Sequence, residues 1–524
     1  SHTHSHTHSH THSHTHSLHK HDGHGMIHSI RVNNASNLTY SNQYIHTPRY
    51  LTELLYNRTL FLNTRDKKGL VGIVKTLLAP LTLEYLGLTH TTHGAANMNL
   101  VVLGNRIYAC DEGSAPFAIH WNDDNTFDSK GYELSDSKAH SSTHASTLPL
   151  PMSSHPVIDI KTQIMYYTGF STHTHSHTHM DTDKPAAIYG SAYGTNSLQL
   201  IDYTDVMLPS RPWMHDMMIT ERYILLLCGS IVYDSTGILT GDLLKFVSSV
   251  KIEVGVASKD DADFVVGATH AHTHTHAHSQ AHVKQQDIAS KSLQWFRGRD
   301  AAAIMHVANA WEEVDANNDT VIIIWAPICT RHFDSTLMKK QNRFYMSRVV
   351  LNLQTGQMRK GTLGTEYNIE YPVVHPAYRG YRSQYVFASI FDSSGNTDDD
   401  EEEPIGMIKY NLFDKVIEKT VYFASGVFSG EMVPLPKAVT VTSRESECVS
   451  ECKSDKAISD GSDLVYLASF FFNSITHSSE WRVYDGECMS AEPIAVFGVP
   501  ARVPYGSHGK WIKEEVLQSI INDF

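Results

Sequence analysis

The chain has 524 residues, 41% hydrophobic and 19% charged, proportions that suit a globular protein with one large core or two or three smaller ones. Its formal charge of −14, without any cluster of Lys and Arg, argues against a nucleic-acid partner, because phosphate neutralisation needs grouped cations. Six cysteines are too sparse for a disulfide scaffold, so reduced thiols are expected, and no apolar run reaches the roughly 18 residues of a spanning helix.

Residues 1–17 alternate Ser or Thr with His and contain no apolar side chain. They cannot bury a core and read as a tag or filler. The same vocabulary returns at 171–180 and 269–282, and the three tracts hold about half of the 35 histidines. They are read as loops in preference to metal-buffering tracts.

From Gly25 onward the pattern is short strands separated by turns. MIHSIRV, LTYSNQYIHT, MNLVVLGNRIYACDEG, QIMYYTGF, LQLIDYT and YILLLCGSIVY are followed by TVIIIWAPI, FYMSRVVLNLQTGQ, SQYVFASIF, GMIKYNLFDKV, LVYLASFFF and EWRVYDGECM. Turn signals such as LGNR, LQTGQ, DSSGN and YDGE punctuate them. Repeated short strands without alternating long helices predict a closed all-β fold, most simply a propeller. Polar stretches at 393–404 and 442–460 read as solvated insertions. One segment breaks the pattern. At 67–88, Leu70, Val71, Val74, Leu77, Leu78 and Leu81 fall near a helical stripe, which fits either a helix packed on the core or an amphipathic helix resting in a membrane leaflet. The apolar stretch 237–250 could join it.

Four histidines lie outside the tracts in comparable settings: His155 in SSHPVID, His215 in PWMHDMMITERY, His306 in MHVANAWEE and His508 in VPYGSHGKW. A single histidine at the end of an apolar run is ordinarily a satisfied core residue. Four on separated segments, with no cysteine or aspartate offered at the same places, suit a borderline transition metal such as iron or zinc.

These motifs together resemble the carotenoid cleavage oxygenases, most closely the plant-type group that cuts at the 9,10 and 9′,10′ double bonds. The resemblance runs from about Gly23 to Ile521. It is carried by GHGMIHSIRV, DKKGLVGIVKTLLAP, GAANMNLVV, ACDEGSAPF, SSHPVID, MHDMMITERY, WFRGRDAAAIMHVANAWEE, IEYPVV, SGVFSGEMVPLPK and MSAEPIAVFGVPARVPYGSHGKWIKEEVLQ. It implies a seven-bladed β-propeller with a helical lid over an axial iron site, forming one domain over 18–524. It implies that His155, His215, His306 and His508 hold Fe(II), and that Glu112, Glu370 and Glu431 stand behind His215, His306 and His508 respectively, with no carboxylate behind His155. A ligating imidazole needs its second nitrogen held by an acceptor, which fixes the tautomer.

The activity implied is oxidative scission of a carbon–carbon double bond in an apolar polyene by O2, giving two carbonyl products. No GxSxG or P-loop suggests another chemistry. The sequence departs from the family pattern at Ser507, at Met217 and Met218, which are read as a lining for a long polyene, and at VGVASK (254–259). Three rivals stand beside this reading. They are a stilbene-cleaving relative, which would use a lysine where Asp111 stands; the retinyl-ester isomerohydrolase branch; and a silent propeller that binds an apolar ligand. The apolar stripe at 67–88 gives the expectation of peripheral membrane contact, and the resemblance bears on location. It leans toward a cytoplasmic, membrane-associated location, with a plastid form open.

Overall fold

The computed structural model describes residues 23–34, 37–61, 74, 78, 85–86, 94–133, 152–170, 186–194, 197–207, 212–233, 244–259, 293–330, 342–391, 403–437, 464–504, 506 and 508–522. The expectations placed on 1–17, 171–180, 269–282, 442–460 and Ser507, and most of those on 67–88 and 393–404, lie outside these residues.

The described residues are mostly strands, and they form six antiparallel sheets of four or five strands each. The first comprises Asn99–Leu103, Arg106–Cys110, Phe117–Trp121 and Phe127–Tyr132, and the second Val157–Ile158, Ile164–Phe170, Ala186–Gly194 and Leu198–Met207. The third comprises Met217–Ile219, Tyr223–Cys228, Glu253–Ser258 and Gln294–Arg297. In the fourth, Ala303–Ile304 and Asn309–Val314 both pair with Thr320–Cys329, followed by Tyr345–Asn352 and Met358–Thr362. The fifth comprises Asn368–Val373, Tyr385–Phe391, Pro404–Asn411 and Val416–Tyr422. In the sixth, Val427–Ser429 and Val433–Pro436 pair with Val465–Asn473, followed by Ser478–Asp485 and Ala495–Val499. Each sheet meanders in chain order, as the blades of a propeller do.

Burial explains why the sheets stack. Along Thr320–Cys329, Ile322, Ile324, Ala326 and Ile328 face a core shared with the second and third sheets. Val321, Ile323 and Trp325 face a different core, shared with the fifth. A strand buried on both faces reads as an unbroken apolar run, as VIIIWAPIC does. Further cores join the fifth sheet to the sixth and the first to the second.

The expected seven blades are corrected to six among the described residues. Between the sixth and first sheets lies only a two-stranded ribbon, Met26–Asn34 paired with Asn37–Tyr44. His28 and Tyr40 pack their rings against Phe470 of the sixth sheet. Ser41 Oγ and Gln43 Nε2 donate to the carbonyls of Asn125 and Phe127 in the first. The ribbon bridges its neighbours through side chains, so it adds no backbone ladder to either and does not amount to a four-stranded blade.

A second ribbon pairs Ile231–Tyr233 with Leu244–Phe246. Of the apolar stretch 237–250 only 244–250 is described, and there Leu244 and Phe246 pack against Trp213, Ile231 and Met305. Two helices lie outside the sequence expectations. Pro48–Tyr56 begins at Thr47, whose hydroxyl accepts from the Tyr50 backbone, and has proline in its first turn. Glu514–Ile521 buries Leu517, Ile520 and Ile521 against the first sheet. Of the expected helix at 67–88 only Val74, Leu78, Tyr85 and Leu86 are described; Val74, Leu78 and Tyr85 are helical and exposed. No helix of the described residues is long and apolar enough to cross a membrane.

Candidate metal centre

The site forms where the first strands of successive sheets begin. His155 stands two residues before Val157–Ile158, His215 two before Met217–Ile219, and His306 between the two short strands of the fourth sheet. Glu370 lies within Asn368–Val373, Glu431 lies between the two short strands of the sixth sheet, and His508 follows that sheet. Glu112 comes from the turn after Arg106–Cys110. The fold therefore brings all seven sequence-predicted residues into one cluster.

The imidazole rings interlock edge to face. Ring centroids are 4.5 Å apart for His155 and His215, 4.5 Å for His155 and His508, and 5.0 Å for His306 with each of His155, His215 and His508. One ligand atom from each of His155, His215 and His306 lies within 4.8 Å of the others, and all three residues are buried. Nε2 of His215 and Nε2 of His306 are 3.3 Å apart.

The outward nitrogens are held by carboxylates. His215 Nδ1 pairs with Glu112 Oε1, which also accepts from Ser154 Oγ at 2.8 Å. His306 Nδ1 lies 2.7 Å from Glu370 Oε2. His508 Nδ1 lies 3.2 Å from Glu431 Oε1, and Glu431 Oε2 accepts the Gly509 backbone N–H at 3.0 Å. With Nδ1 engaged, Nε2 is the nitrogen left for a cation. His155 Nε2 is buried and has no hydrogen-bond partner among the described residues. Leaving such an atom unpaired is costly. A metal ion at the meeting point of these rings would satisfy His155, His215 and His306 together, so the donor set fits one.

Electrostatics favour the neutral form at His155 and His306 and the protonated form at His215. Burial, reinforced by the neighbouring histidines, lowers His155 and His306 well below the ordinary histidine value. Burial acts the same way on His215, but the Glu112 carboxylate outweighs it and raises that residue. Burial pushes Glu370 up to about 8. For Glu431, burial is overcome by His508 and the Gly509 N–H, and the carboxyl is lowered.

Several participants were not singled out from the sequence. Tyr371 adopts a left-handed φ of 54° beside a register shift between Glu370 and Val373. Such bulges re-aim side chains, and left-handed conformations of non-glycine residues gather at functional sites. Here the Tyr371 ring packs 5.4 Å from His306 and 5.5 Å from His508, and its N–H donates to Glu370 Oε2 at 2.7 Å. Trp213 covers His215 at 4.6 Å. Its place in PWMH was the available signal.

Met217 and Met218, read as a polyene lining, are instead fully buried in the core with Leu225 and Val254. They sit in a strand covered on both faces. The segment 254–259 is strand for most of its length and ends at Lys259, whose Nζ pairs with Asp159 at 2.8 Å. Asp111 is buried and accepts the Ala96 N–H at 3.2 Å. A cavity of about 840 Å³ on the fourth sheet, lined by Asp315, Arg348, Arg359 and Lys415 among others, does not reach the histidines.

Comparison with known proteins follows the same lines. Residues 5–513 match the family profile described as retinal pigment epithelial membrane protein. The chain is 26% identical over 526 residues to carotenoid 9,10(9′,10′)-cleavage dioxygenase 1 of Pisum sativum, spanning 95% of this chain and 82% of that one. Among solved structures, the lignostilbene dioxygenase of Pseudomonas brassicacearum superposes with a TM-score of 0.67 at 16% identity, over 94% of this chain and 87% of that one. The cobalt-substituted apocarotenoid oxygenase of Synechocystis gives 0.66 at 16% identity, over 94% and 88%. The chain thus belongs to the retinal pigment epithelial membrane protein family, that of the carotenoid cleavage oxygenases.

Proposed function

We propose that this chain is a non-haem iron(II) dioxygenase that uses O2 to cleave a carbon–carbon double bond of a carotenoid or apocarotenoid into two carbonyl products. The observation that carries it is the meeting of His155, His215 and His306 in a buried cluster, with His155 Nε2 lacking a partner among the described residues. His155, His215, His306 and His508 are assigned as ligands, and Glu112, Glu370 and Glu431 as the groups that orient three of them. Iron(II) held there supplies the one-electron chemistry by which dioxygen, otherwise unreactive toward closed-shell alkenes, can attack a double bond. The protein's part is placement. Neutral imidazoles leave the ion its full charge, the carboxylates fix which nitrogen faces inward, and Trp213 and Tyr371 cover the rings beside them.

A phenolic stilbene is the alternative substrate, favoured by the likeness to the lignostilbene dioxygenase. Against it, Asp111 stands where a cationic partner would be needed, and its carboxylate is occupied by the Ala96 backbone. The deciding experiment is product analysis. Iron-loaded protein, with excess metal stripped from the histidine tracts, is offered β-carotene, an apocarotenal and a stilbene under labelled O2. Labelled apocarotenals or ketones support the proposal. Phenolic aldehydes alone move the chain to stilbene cleavage, and no product at all leaves a silent binder.

Peripheral membrane contact through 67–88 belongs to the same proposal, supported by the exposed helical Val74 and Leu78. It would deliver an apolar polyene without passage through water. Charged substitutions at Leu77 and Leu81 should weaken liposome binding, and unchanged binding would remove the membrane from the scheme. A membrane-associated setting follows from that contact, and the subgroup resemblance leans cytoplasmic; a plastid setting is as open, as some relatives are chloroplastic.

A further inference from the structure

One buried carboxylate engages the ligand-bearing segments without pairing with any imidazole. Asp216 is 5% exposed. Its Oδ1 accepts the Met217 N–H at 2.7 Å, and its Oδ2 accepts the Val307 N–H at 2.7 Å. Its backbone forms an isolated parallel bridge with His155. A single residue is thus covalently joined to His215, bridged through its main chain to His155, and hydrogen-bonded through its side chain to the residue that follows His306. Those three histidines are the ones whose ligand atoms converge.

We propose that Asp216 is a positioning residue that sets the mutual placement of His155, His215 and His306, and so determines the affinity and geometry of the metal they hold. The inference rests on the metal-centre reading of the preceding subsection.

The chemistry requires a carboxylate. Both oxygens accept, each from a different backbone N–H. An asparagine has one acceptor and one donor group, so it must turn its NH2 toward one of two N–H groups and lose that bond. In a buried setting the orphaned backbone donor is then left without a partner. Loss of the Val307 bond uncouples the segments carrying His215 and His306, whereas loss of the Met217 bond leaves them joined and frees the backbone beside His215. Residues that hold metal ligands from behind are worth on the order of 10- to 100-fold in affinity.

The test compares cobalt(II) binding by the unsubstituted protein, by Asp216→Asn and by a control, Glu133→Gln. Glu133 binds Arg106, Tyr108 and the Leu198 N–H in the first and second sheets, away from the histidines. Cobalt is added to metal-free full-length protein, the histidine tracts are cleared with a weak chelator, and the visible d–d bands of the retained ion are recorded. The expected result for Asp216→Asn is a drop in cobalt affinity of on the order of 10- to 100-fold with shifted bands. Glu133→Gln should lower Tm while leaving affinity and bands unchanged, a separation that general destabilisation would not produce. Asp216→Asn with unsubstituted affinity and bands overturns the inference while the metal centre stands. If the unsubstituted protein retains no chelator-resistant cobalt, the metal-centre reading fails and the inference falls with it. Should Asp216→Asn not fold, hydrogen exchange in the unsubstituted metal-free protein decides. Slow exchange at the amides of both Met217 and Val307 supports the clamp, and fast exchange at either overturns it.

Discussion

Nδ1 of His306 and Oε2 of Glu370 lie 2.7 Å apart, with both side chains buried, and the same carboxylate oxygen accepts the backbone N–H of Tyr371. The imidazole is therefore gripped from a neighbouring sheet, and its orientation depends on a carboxyl oxygen placed there beside a left-handed backbone residue. Replacing Glu370 with Gln keeps the volume but exchanges one carboxyl oxygen for an NH2 group. Metal affinity is expected to fall by on the order of 10- to 100-fold, measured by competition with a calibrated chelator. Unchanged affinity would mean that Glu370 serves packing alone.

His306→Ala removes a proposed ligand without touching a strand ladder, since His306 lies between Ala303–Ile304 and Asn309–Val314. Carotenoid cleavage is expected to vanish while the far-ultraviolet circular dichroism of the sheets persists. Cleavage at the unsubstituted rate would refute the ligand assignment.

The central strand of the fourth sheet supports a prediction about stability. Ile324 is 1% exposed between the second, third and fourth sheets, so Ile324→Ala should cost about 2–5 kcal/mol in denaturant unfolding. Ile475 is 71% exposed, and Ile475→Ala should stay within about 0.5 kcal/mol. Equal costs at the two positions would contradict the described packing.

Acid sensitivity should trace in part to Asp159. Burial tends to raise its carboxyl, but the Lys259 ammonium and the backbone N–H of Lys161 prevail, and the folded value is lowered. A carboxyl depressed on folding contributes stability above its unfolded value, about 3.9, and loses it as pH falls through the lower folded value. Asp159→Asn leaves Lys259 buried without its charge partner. At pH 7 the substitution should cost about 3 kcal/mol, the low end for breaking a buried pair, because Lys259 keeps a little solvent contact. The gap between the two proteins should narrow as pH falls below the unfolded value and close as it passes through the lower folded one. A gap independent of pH would show that charge is not the cause.

Much of the architecture was legible because strands buried on both faces leave a plain mark, as in VIIIWAPIC. The four histidines were legible as residues with repeated context, and the three glutamates only through the family resemblance. Their grouping depends on pairings between segments hundreds of positions apart, which no local pattern records. The same limit hid the blade count. MIHSIRV and LTYSNQY read correctly as strands, but nothing in them tells that they stop at a ribbon held to its neighbours by side chains. Met217 and Met218 were misread because an apolar pair beside a histidine looks the same whether it faces a substrate or a second sheet. The helix Pro48–Tyr56 was missed even though Thr47 followed by Pro48 is a recognisable helix start, because its short apolar run is largely exposed. Asp216 drew no notice beside a more conspicuous histidine.

The distribution of the histidines over successive sheets also fixes an order of events during synthesis. His155, His215 and His306 emerge before the fifth and sixth sheets exist, whereas His508 comes after the last of them. On the proposed ligand assignment, a half-made chain already presents three imidazoles, the set that zinc accepts with water in the fourth place. Zinc also outranks ferrous iron in intrinsic affinity. Arrival of His508, braced by Glu431, changes three nitrogens into four. Closing the ring is thus the step at which the nascent protein can first discriminate between metals, and slow closure would favour capture of the wrong one.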